Sequence, residues 1–260
     1  MSNLLSLKGI YKSFNKGTID EMALFTDFNL DIKEGEFVSI VGSNGSGKTT
    51  ILNIISGSTP IDGGDVCLKD ENINKMKEYL RARRIARVYQ DPALGTSPNL
   101  TVLENLALAD NKGHYYGLSF AFNKKKKAEY QELLKSLNMG LEDKMNTKVK
   151  RLSGGQRQAL ALLMATMQPV DILLLDEHTA ALDPKTSEEI MELTNRIIKE
   201  KHITTLMVTH NLRYAIEYGN RLLMFNQGSI IIDKSDKEKE NINVDDLLKT
   251  FNEISIECGN

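Results

Sequence analysis

A glycine-rich segment between an apolar strand and a helix constrains the fold of this chain more than any other feature. The segment GSNGSGKTT, residues 42–50, follows the apolar run FVSIV and precedes the helical pattern ILNIIS. Its Gly42, Gly47, Lys48 and Thr49 fit the spacing G-x-x-x-x-G-K-S/T. Glycines let the backbone curl until several N–H groups point at one anion. The sequence therefore predicts a strand, a phosphate-binding loop and a helix, in this order.

The phosphate-binding loop also predicts a role for its side chains. We expect the Lys48 ammonium to reach the β- and γ-phosphate oxygens of a nucleotide, and the Thr49 hydroxyl to hold Mg²⁺. The residues expected to contact the nucleotide are Gly42, Ser43, Asn44, Gly45, Ser46, Gly47, Lys48, Thr49 and Thr50.

Two carboxylates follow a second apolar strand. In DILLLDE, residues 171–177, we expect ILLL to be buried and Asp176 to lie at its carboxyl end, where α/β sheets bind ligands. Asp176 is a candidate ligand of Mg²⁺. Glu177, the next residue, is placed to polarise an attacking water molecule, and positioning of this kind supplies much of the catalysis in phosphoryl transfer.

A second glycine-rich turn, LSGGQ at residues 152–156, leads into the helical pattern RQALALLMATM. The first N–H groups of a helix have no partner within it and attract anions. One chain thus has two predicted phosphate cradles, and the second needs an explanation of its own.

The order of apolar segments predicts an α/β fold. From residue 153 onwards, all-apolar strands alternate with helices, which is typical of a parallel sheet covered on both faces. Residues 4–41 instead indicate short strands joined by hairpins. A mostly helical stretch at residues 100–140 interrupts the alternation and indicates an inserted subdomain.

Composition and charge exclude several classes of protein. The net charge of −2 argues against a surface built to bind nucleic acid. No apolar run approaches the ~20 residues that a membrane helix needs, so we expect any membrane link to come through a partner. Cys67 and Cys258 make no disulfide framework or metal pair, and we expect reduced thiols.

The motifs occur in an order that resembles one family. A glutamine follows a strand in VYQD, LSGGQ precedes the strand that ends in DE, ALD follows at residues 181–183, and a histidine ends VTH. This set resembles the nucleotide-binding domain of ABC (ATP-binding cassette) ATPases, from about residue 4 to residue 232. The resemblance implies that ATP and Mg²⁺ are bound and that ATP is hydrolysed.

The resemblance also implies an architecture. It predicts a P-loop NTPase fold with a RecA-like core, an antiparallel β subdomain and an inserted helical subdomain at about residues 91–150. The cassette would span residues 1–232, and residues 233–260 would be a charged linker followed by a short C-terminal helix.

Further site residues come from the resemblance. Phe14 matches the aromatic residue that stacks on adenine, with Tyr11 as the alternative. Gln90 matches a glutamine that contacts Mg²⁺ and the attacking water and links to the transmembrane subunit. His210 matches a histidine that contacts the γ-phosphate, whereas a lone histidine before a helix is more often its cap. The implied signature and D-loop residues are Ser153, Gly154, Gly155, Gln156 and Asp183.

In this family two copies pack head to tail, and each ATP lies between the phosphate-binding loop of one copy and LSGGQ of the other. This would explain the second cradle, since the helix after Ser153 offers N–H groups and partial positive charge to a γ-phosphate. ATP would close the dimer and hydrolysis would reopen it. The implied partners are a second copy (or a homologous cassette) and two transmembrane permease subunits, at the cytoplasmic face of the cell membrane, without nucleic acid.

The direction and cargo of transport have competing interpretations. GTSPNLTVLENLALA, GLEDKMNTKVKRLSGGQRQALALLMAT and DEHTAALDPKT resemble cassettes of importers for tryptophan, tyrosine or related small substrates, which use an extracytoplasmic substrate-binding lipoprotein. The alternatives are an export or lipid-linked cassette and a soluble ABC protein that acts on DNA or ribosomes. A P-loop kinase or GTPase would leave LSGGQ and ALD without a role.

Some features carry two hypotheses each. His178 stands where many relatives have Pro, and either tunes the adjacent Glu177 or shapes a turn. The aromatic stretch HYYGLSFAF, residues 114–122, either packs within the helical subdomain or contacts the permease. The run KKKK, residues 124–127, is either a solvated face or weakly attracted to an anionic membrane leaflet. We expect His114 and His202 to be surface residues.

Overall fold

The computed structural model describes residues 3–112 and 124–257. The chain divides into two compact units, Met1–Ala82 with His202–Asn260, and Arg83–Lys201. The strands are β1 (Asn3–Phe14), β2 (Met22–Lys33), β3 (Phe37–Gly42), β4 (Gly63–Leu68), β5 (Glu71–Asn72), β6 (Ile85–Val88), β7 (Ile172–Asp176), β8 (Thr204–Val208), β9 (Arg221–Asn226) and β10 (Ser229–Ser235). The helices are α1 (Lys48–Ser56), α2 (Glu78–Arg81), α3 (Val102–Asp110), α4 (Lys124–Lys135), α5 (Gly154–Thr166), α6 (Pro184–Lys201), α7 (Leu212–Glu217), α8 (Asp236–Glu240) and α9 (Val244–Glu257).

The first unit contains an antiparallel sheet with the strand order β2-β1-β4-β5. Along β2, the buried Phe28, Leu30 and Ile32 alternate with exposed residues. This alternation is expected of a strand with only one face on a core. The pairing of β1 with β2 confirms the predicted hairpin, whereas β3, which covers the end of the same segment, does not pair with either strand.

The first unit also contains parallel strands. β3 pairs in parallel with β8 on one side and with β9 on the other, and β10 lies antiparallel to β9. Every residue of β3 and of β8 is buried, as expected of strands covered on both faces. Gly42 ends β3, so the phosphate-binding loop leaves the sheet at its carboxyl edge.

The second unit combines a parallel strand pair with helices. β6 and β7 pair in parallel, and all of β7 is buried. α5 packs against α3 and α6. Thr101 caps α3, and Ser153 caps α5, each in a reciprocal pair with the residue three positions later. These strands, together with the antiparallel sheet, confirm the predicted α/β class.

Several predicted elements differ in extent from those observed. The pattern KMKEYLRARR, residues 75–84, predicts a helix, whereas the observed helix α2 spans only Glu78–Arg81. Arg81, at its end, turns inward and donates to the carbonyls of Ile54 and Ile55 at 2.8 and 3.1 Å. The pattern KKKKAEYQELLKSLNMG predicts a helix that is capped by Asn123 and ends at Gly140, whereas α4 ends at Lys135. The expected cap Asn123, the aromatic stretch 114–122 and His114 lie outside the described residues.

The segment after residue 232 is more ordered than the expected charged linker. β10 continues to Ser235, and α8 follows at once. Within α8, Lys239 is only 3% exposed, and its Nζ donates to the carbonyls of Tyr218 and Gly219. Leu247 of α9 joins a buried apolar cluster of the first unit. A buried lysine and a buried leucine therefore hold a segment whose composition is that of a linker.

The remaining surface expectations agree with the described residues. His202 is exposed, and so are Lys125 and Lys127 of the basic run. Lys126 donates to Asp110 Oδ2 at 2.8 Å. In the part of the chain that the structure describes, no helix combines the length and apolar character needed to cross a membrane.

Candidate functional site

The phosphate-binding loop has a backbone that only glycine can adopt at its two ends. Gly47 has a φ of 104°, and a Cβ there would lie 2.7 Å from a ring carbon of Phe25. A Cβ at Gly42 would lie 2.3 Å from the carbonyl oxygen of Phe225. Both distances are shorter than any tolerable contact, so the sequence requirement for glycine has a steric cause. The loop therefore curls with its backbone exposed to an incoming ligand.

The polar groups of the loop fit an anionic ligand. Lys48 is 5% exposed, and its Nζ donates to the carbonyls of Gly42 and Ser43 at 2.7 and 2.8 Å. The buried Oγ of Ser46 has no hydrogen-bond partner among the described residues. An ammonium held by the loop itself, an orphaned hydroxyl and the N-terminus of α1 together form a cradle that suits a phosphate.

The two aromatic candidates for adenine stacking lie in different settings on β1. Phe14 ends the strand and is half-buried, with Lys12 Nζ 5.2 Å from its ring centroid. Tyr11 is 46% exposed, and its ring lies against Gly63, where an added Cβ would be 3.4 Å from Tyr11 Cδ2. The neighbouring strand therefore covers part of the Tyr11 ring.

His210 lies on the same sheet edge as the phosphate-binding loop. It comes two residues after β8, and the Thr209 N–H donates to the carbonyl of Ile40 in β3 at 3.1 Å. The cap of α7 is Asn211, whose Oδ1 accepts from the Tyr214 N–H at 3.2 Å. The helix-capping alternative for His210 is therefore wrong.

In the second unit, Asp176 ends β7 and forms an ion pair that the sequence analysis missed. Asp176 Oδ2 lies 2.6 Å from Nη2 of Arg87, which belongs to β6. The signal was present, since Arg87 is the only charged residue in the otherwise apolar run IARV. Taken alone, however, a charged residue in a short strand indicates solvent exposure as readily as an ion pair.

Glu177 has an unusual backbone conformation. Its φ is +48°, in the left-handed region that non-glycine residues rarely adopt. Its carbonyl accepts a hydrogen bond from the Ala180 N–H at 2.9 Å. Such residues cost about 1–3 kcal/mol and cluster at functional sites, so the geometry is consistent with a carboxylate held in a fixed direction.

His178 points into the protein. It is 2% exposed, and its Nε2 lies 3.1 Å from Thr194 Oγ1 of α6. Burial lowers the pKa of His178 to about 4. A buried neutral imidazole that holds the turn onto α6 favours the turn-shaping hypothesis over a tuned base.

Gln90 is exposed, and the backbone just before it is held by the helix that follows LSGGQ. Gln158 of α5 is 1% exposed, and its Nε2 donates to the carbonyl of Tyr89 at 3.2 Å. This contact ties the start of the segment that carries Gln90 to α5.

The LSGGQ segment forms the start of α5. Ser153 is exposed, and its Oγ accepts from the Gln156 N–H at 3.3 Å, while Gln156 Oε1 accepts from the Ser153 N–H at 3.3 Å. A Cβ at Gly155 would lie 2.4 Å from Thr186 Cγ2 of α6. The turn thus has a fixed cap and a backbone packed against α6, with Gly154 half-buried at its entrance.

Asp183 lies at the start of α6. Its Oδ1 accepts from the Thr186 N–H at 3.1 Å, and hydrogen bonds from Thr186 lower the pKa of the exposed Asp183 carboxyl. The carboxylate is therefore charged at neutral pH and fixed at a helix N-terminus.

The donors available for Mg²⁺ are oxygen atoms. Thr49 supplies a hydroxyl, Gln90 an amide and Asp176 a carboxylate, and hard oxygen ligands are those that Mg²⁺ prefers. Among the described residues, no group of three or more His, Cys, Asp or Glu side chains is arranged to hold a metal. Each of these side chains, taken by itself, is therefore chemically suited to bind Mg²⁺.

Comparison with known proteins gives one consistent result. The family profile described as "ABC transporter" matches residues 25–180. A tyrosine transport ATP-binding protein of Clostridioides difficile is 48% identical over 248 residues, covering 95% of this chain and 98% of the relative. A xylose/arabinose import ATP-binding protein of Sulfolobus acidocaldarius is 34% identical, covering 98% and 96%. A dimeric ATP-binding cassette solved in a post-hydrolysis state with ADP and Pi has a TM-score of 0.74 at 34% identity, covering 89% and 98%.

Proposed function

The chain belongs to the ABC transporter family and is an ATP-binding, ATP-hydrolysing subunit, and from this premise we propose that it drives the import of a small molecule, with tyrosine and related aromatic amino acids as the first candidates. The observation that carries this proposal is the 48% identity to a tyrosine transport ATP-binding protein over almost the whole of both chains. The second relative is also named for import. Export, or a lipid-linked export system, is the alternative.

We propose that two copies work head to tail. The loop that contains Lys48 would hold one ATP, and Ser153 at the start of α5 in the second copy would contact the γ-phosphate of that ATP. The fixed cap of α5 supports this role, because a helix N-terminus attracts an anion. A structural neighbour at 34% identity is a dimer with ADP and Pi. ATP would close the pair, and hydrolysis would release it.

Roles for the site residues follow as parts of this proposal. Glu177 polarises the attacking water, and His210 contacts the γ-phosphate. Phe14 stacks on adenine. Mg²⁺, when bound, neutralises charge on the β- and γ-phosphate oxygens. The residues that would hold it are Thr49, Gln90 and Asp176.

We further propose that two transmembrane permease subunits anchor the dimer at the cytoplasmic face of the membrane and that a substrate-binding lipoprotein completes the importer. A cleft of about 490 Å³ in the second unit supports a docking role. Leu94 and Leu108 line it and are 69% and 41% exposed. Exposed leucines beside a cleft are typical of a surface that a partner covers. The permease would insert a short cytoplasmic segment there.

The proposed domain boundaries follow the family. Residues 1–232 would form the cassette, with the inserted helical subdomain at about residues 91–150. Residues 233–260 would form the C-terminal segment that follows the cassette.

The test of cargo and direction uses the complete transporter. The chain is co-expressed with candidate permease subunits and a candidate substrate-binding lipoprotein, and the assembled complex is placed in vesicles. Tyrosine with its lipoprotein is expected to stimulate ATP hydrolysis and to move from the lipoprotein side to the ATPase side. A sugar serves as the control substrate. Transport in the opposite direction, or stimulation by the sugar alone, would contradict aromatic amino-acid import.

A further inference from the structure

An arginine pairs with the aspartate that we assign to Mg²⁺ binding. Arg87 Nη2 lies 2.6 Å from Asp176 Oδ2, and the two side chains are only 9% and 12% exposed. We infer that Arg87 competes with Mg²⁺ for the Asp176 carboxylate. The inference rests on the proposed assignment of Asp176 to Mg²⁺. As a consequence, we expect Mg²⁺ to strengthen ATP binding less in this chain than it would if Asp176 had no positively charged neighbour.

The strand register explains why the two side chains meet. Arg87 of β6 lies opposite Leu174 of β7. Alternate residues of a strand share a face, so Asp176 is the next side chain on the face of Leu174. The arginine reaches diagonally along the sheet to this carboxylate. Two neighbouring parallel strands thus fix the pair without a flexible loop.

The guanidinium is held from a second side. Its Cζ lies 4.7 Å from the ring centroid of Tyr89, which follows β6. A guanidinium stacks well on an aromatic face, and this contact strengthens when water is excluded. Arg87 therefore has a ring on one side and a carboxylate at its tip. Its position is set before any ligand arrives.

The positive charge of Arg87 affects the binding of a cation at Asp176. Arginine stays protonated at every ordinary pH. A second cation that approaches Asp176 therefore meets a fixed positive charge, and in a site mostly shielded from water such repulsion is stronger than at the surface. An uncharged side chain of similar length at position 87 should let Mg²⁺ strengthen ATP binding more than it does in the wild type.

The same two strands supply a matched control pair. Arg84 Nε lies 2.7 Å from Asp171 Oδ2, with the side chains 28% and 18% exposed. These residues come directly before β6 and β7, at the amino ends of the strands. The control has the same residue types and nearly the same distance, and it lies at the end of the two strands opposite to Asp176.

The experiment measures coupling between metal and nucleotide, without turnover. The purified full chain is titrated with a non-hydrolysable ATP analogue in saturating Mg²⁺ and again in excess EDTA. The ratio of the two dissociation constants is the coupling. Arg87→Met is expected to increase the ratio at least about fivefold. Arg87→Lys keeps the positive charge and is expected to stay within about twofold of the wild type, as is Arg84→Met.

Each outcome decides the inference. An unchanged or smaller ratio in Arg87→Met would overturn it, and so would an equal increase in Arg84→Met. Asp176→Asn separates this failure from that of the proposed function, since its ratio is expected to fall below that of the wild type. If Asp176→Asn keeps the wild-type ratio, the Mg²⁺ assignment and the inference are both wrong. If Arg87→Met melts below the assay temperature, Arg87→Gln provides the same uncharged test.

Discussion

His178 and Thr194 form a hydrogen bond inside the second unit, where Nε2 of the histidine lies 3.1 Å from Oγ1 of the threonine. The Thr194 hydroxyl also donates to the carbonyl of Ile190 at 2.7 Å. The threonine oxygen therefore accepts from a neutral imidazole. Burial lowers the pKa of His178 to about 4 because there is no water to solvate the charged ring.

This burial predicts a pH dependence of stability. Between pH values of about 6.5 and about 4, the unfolded chain binds a proton at His178 that the folded chain does not. The free energy of unfolding is therefore expected to fall as the pH is lowered through this window, by about 3 kcal/mol in full. Above about pH 6.5 the contribution is fully present. Urea unfolding at a series of pH values measures it.

The control is His178→Asn, which keeps a polar group for Thr194 but does not titrate. Over the same pH window, we expect the free energy of unfolding to fall less in this variant than in the wild type. The difference between the two falls should be most of the about 3 kcal/mol assigned to His178. Equal slopes in the two proteins would show that His178 does not carry the effect.

A second prediction concerns the anchor of the C-terminal segment. Lys239 donates to the carbonyls of Tyr218 and Gly219, just after α7. Lys239→Met leaves both carbonyls without this donor, and we expect the free energy of unfolding to fall by about 2 kcal/mol. Lys237→Met, two residues earlier on the exposed face of α8, is expected to change it by less than about 0.5 kcal/mol. Similar losses in both variants would count against a specific anchor.

The sequence predicted those parts of the molecule that depend on neighbouring residues. The phosphate-binding loop, the buried strands and the helix after LSGGQ follow from local pattern, glycine geometry and capping. It did not predict Arg81, Arg87 or Lys239 as buried, because each is fixed by partners distant in sequence or on another element. A charged residue in a short pattern indicates solvent exposure unless its partner is known. The same limit applied to the C-terminal segment, whose charged composition gave no indication that Lys239 and Leu247 are buried.

The capped turn at Ser153 predicts a variant that separates ATP binding from dimer closure. Ser153 is exposed, and an arginine there would fill the space that a γ-phosphate needs. Ser153→Arg is expected to keep ATP affinity within about twofold, yet to give no dimer with ATP. Light scattering after size exclusion, with hydrolysis blocked by Glu177→Gln, measures the dimer.

Two controls accompany this measurement. Ser136→Arg places the same side chain at another exposed site of the second unit and is expected to leave dimer formation unchanged. Lys48→Ala removes the ammonium from the phosphate-binding loop and is expected to abolish ATP binding itself. A dimer that still forms in Ser153→Arg would rule out the second cradle as the cross-dimer contact.

Glu177 gives a prediction about the chemical step. Glu177→Gln keeps the shape of the side chain but cannot accept a proton. We expect ATP hydrolysis to fall about 10²–10⁴-fold, the usual contribution of a general base, with ATP affinity retained. ATP-bound dimers should accumulate. Glu192→Gln, an exposed substitution on α6, is the control and is expected to hydrolyse ATP normally. Normal turnover by Glu177→Gln would remove Glu177 from this role.

The cleft beside Leu94 predicts where the permease binds. Leu94 is 69% exposed in the chain alone. A partner that covers this side chain would therefore remove apolar surface from water, which favours binding. Leu94→Ser is expected to weaken binding to the detergent-solubilised permease at least about tenfold, while ATP affinity of the isolated chain stays the same. Ile231→Ser changes a residue of β10 in the first unit that is 40% exposed, and is expected to leave permease binding intact. If Leu94→Ser binds the permease as tightly as Ile231→Ser does, the permease docks elsewhere.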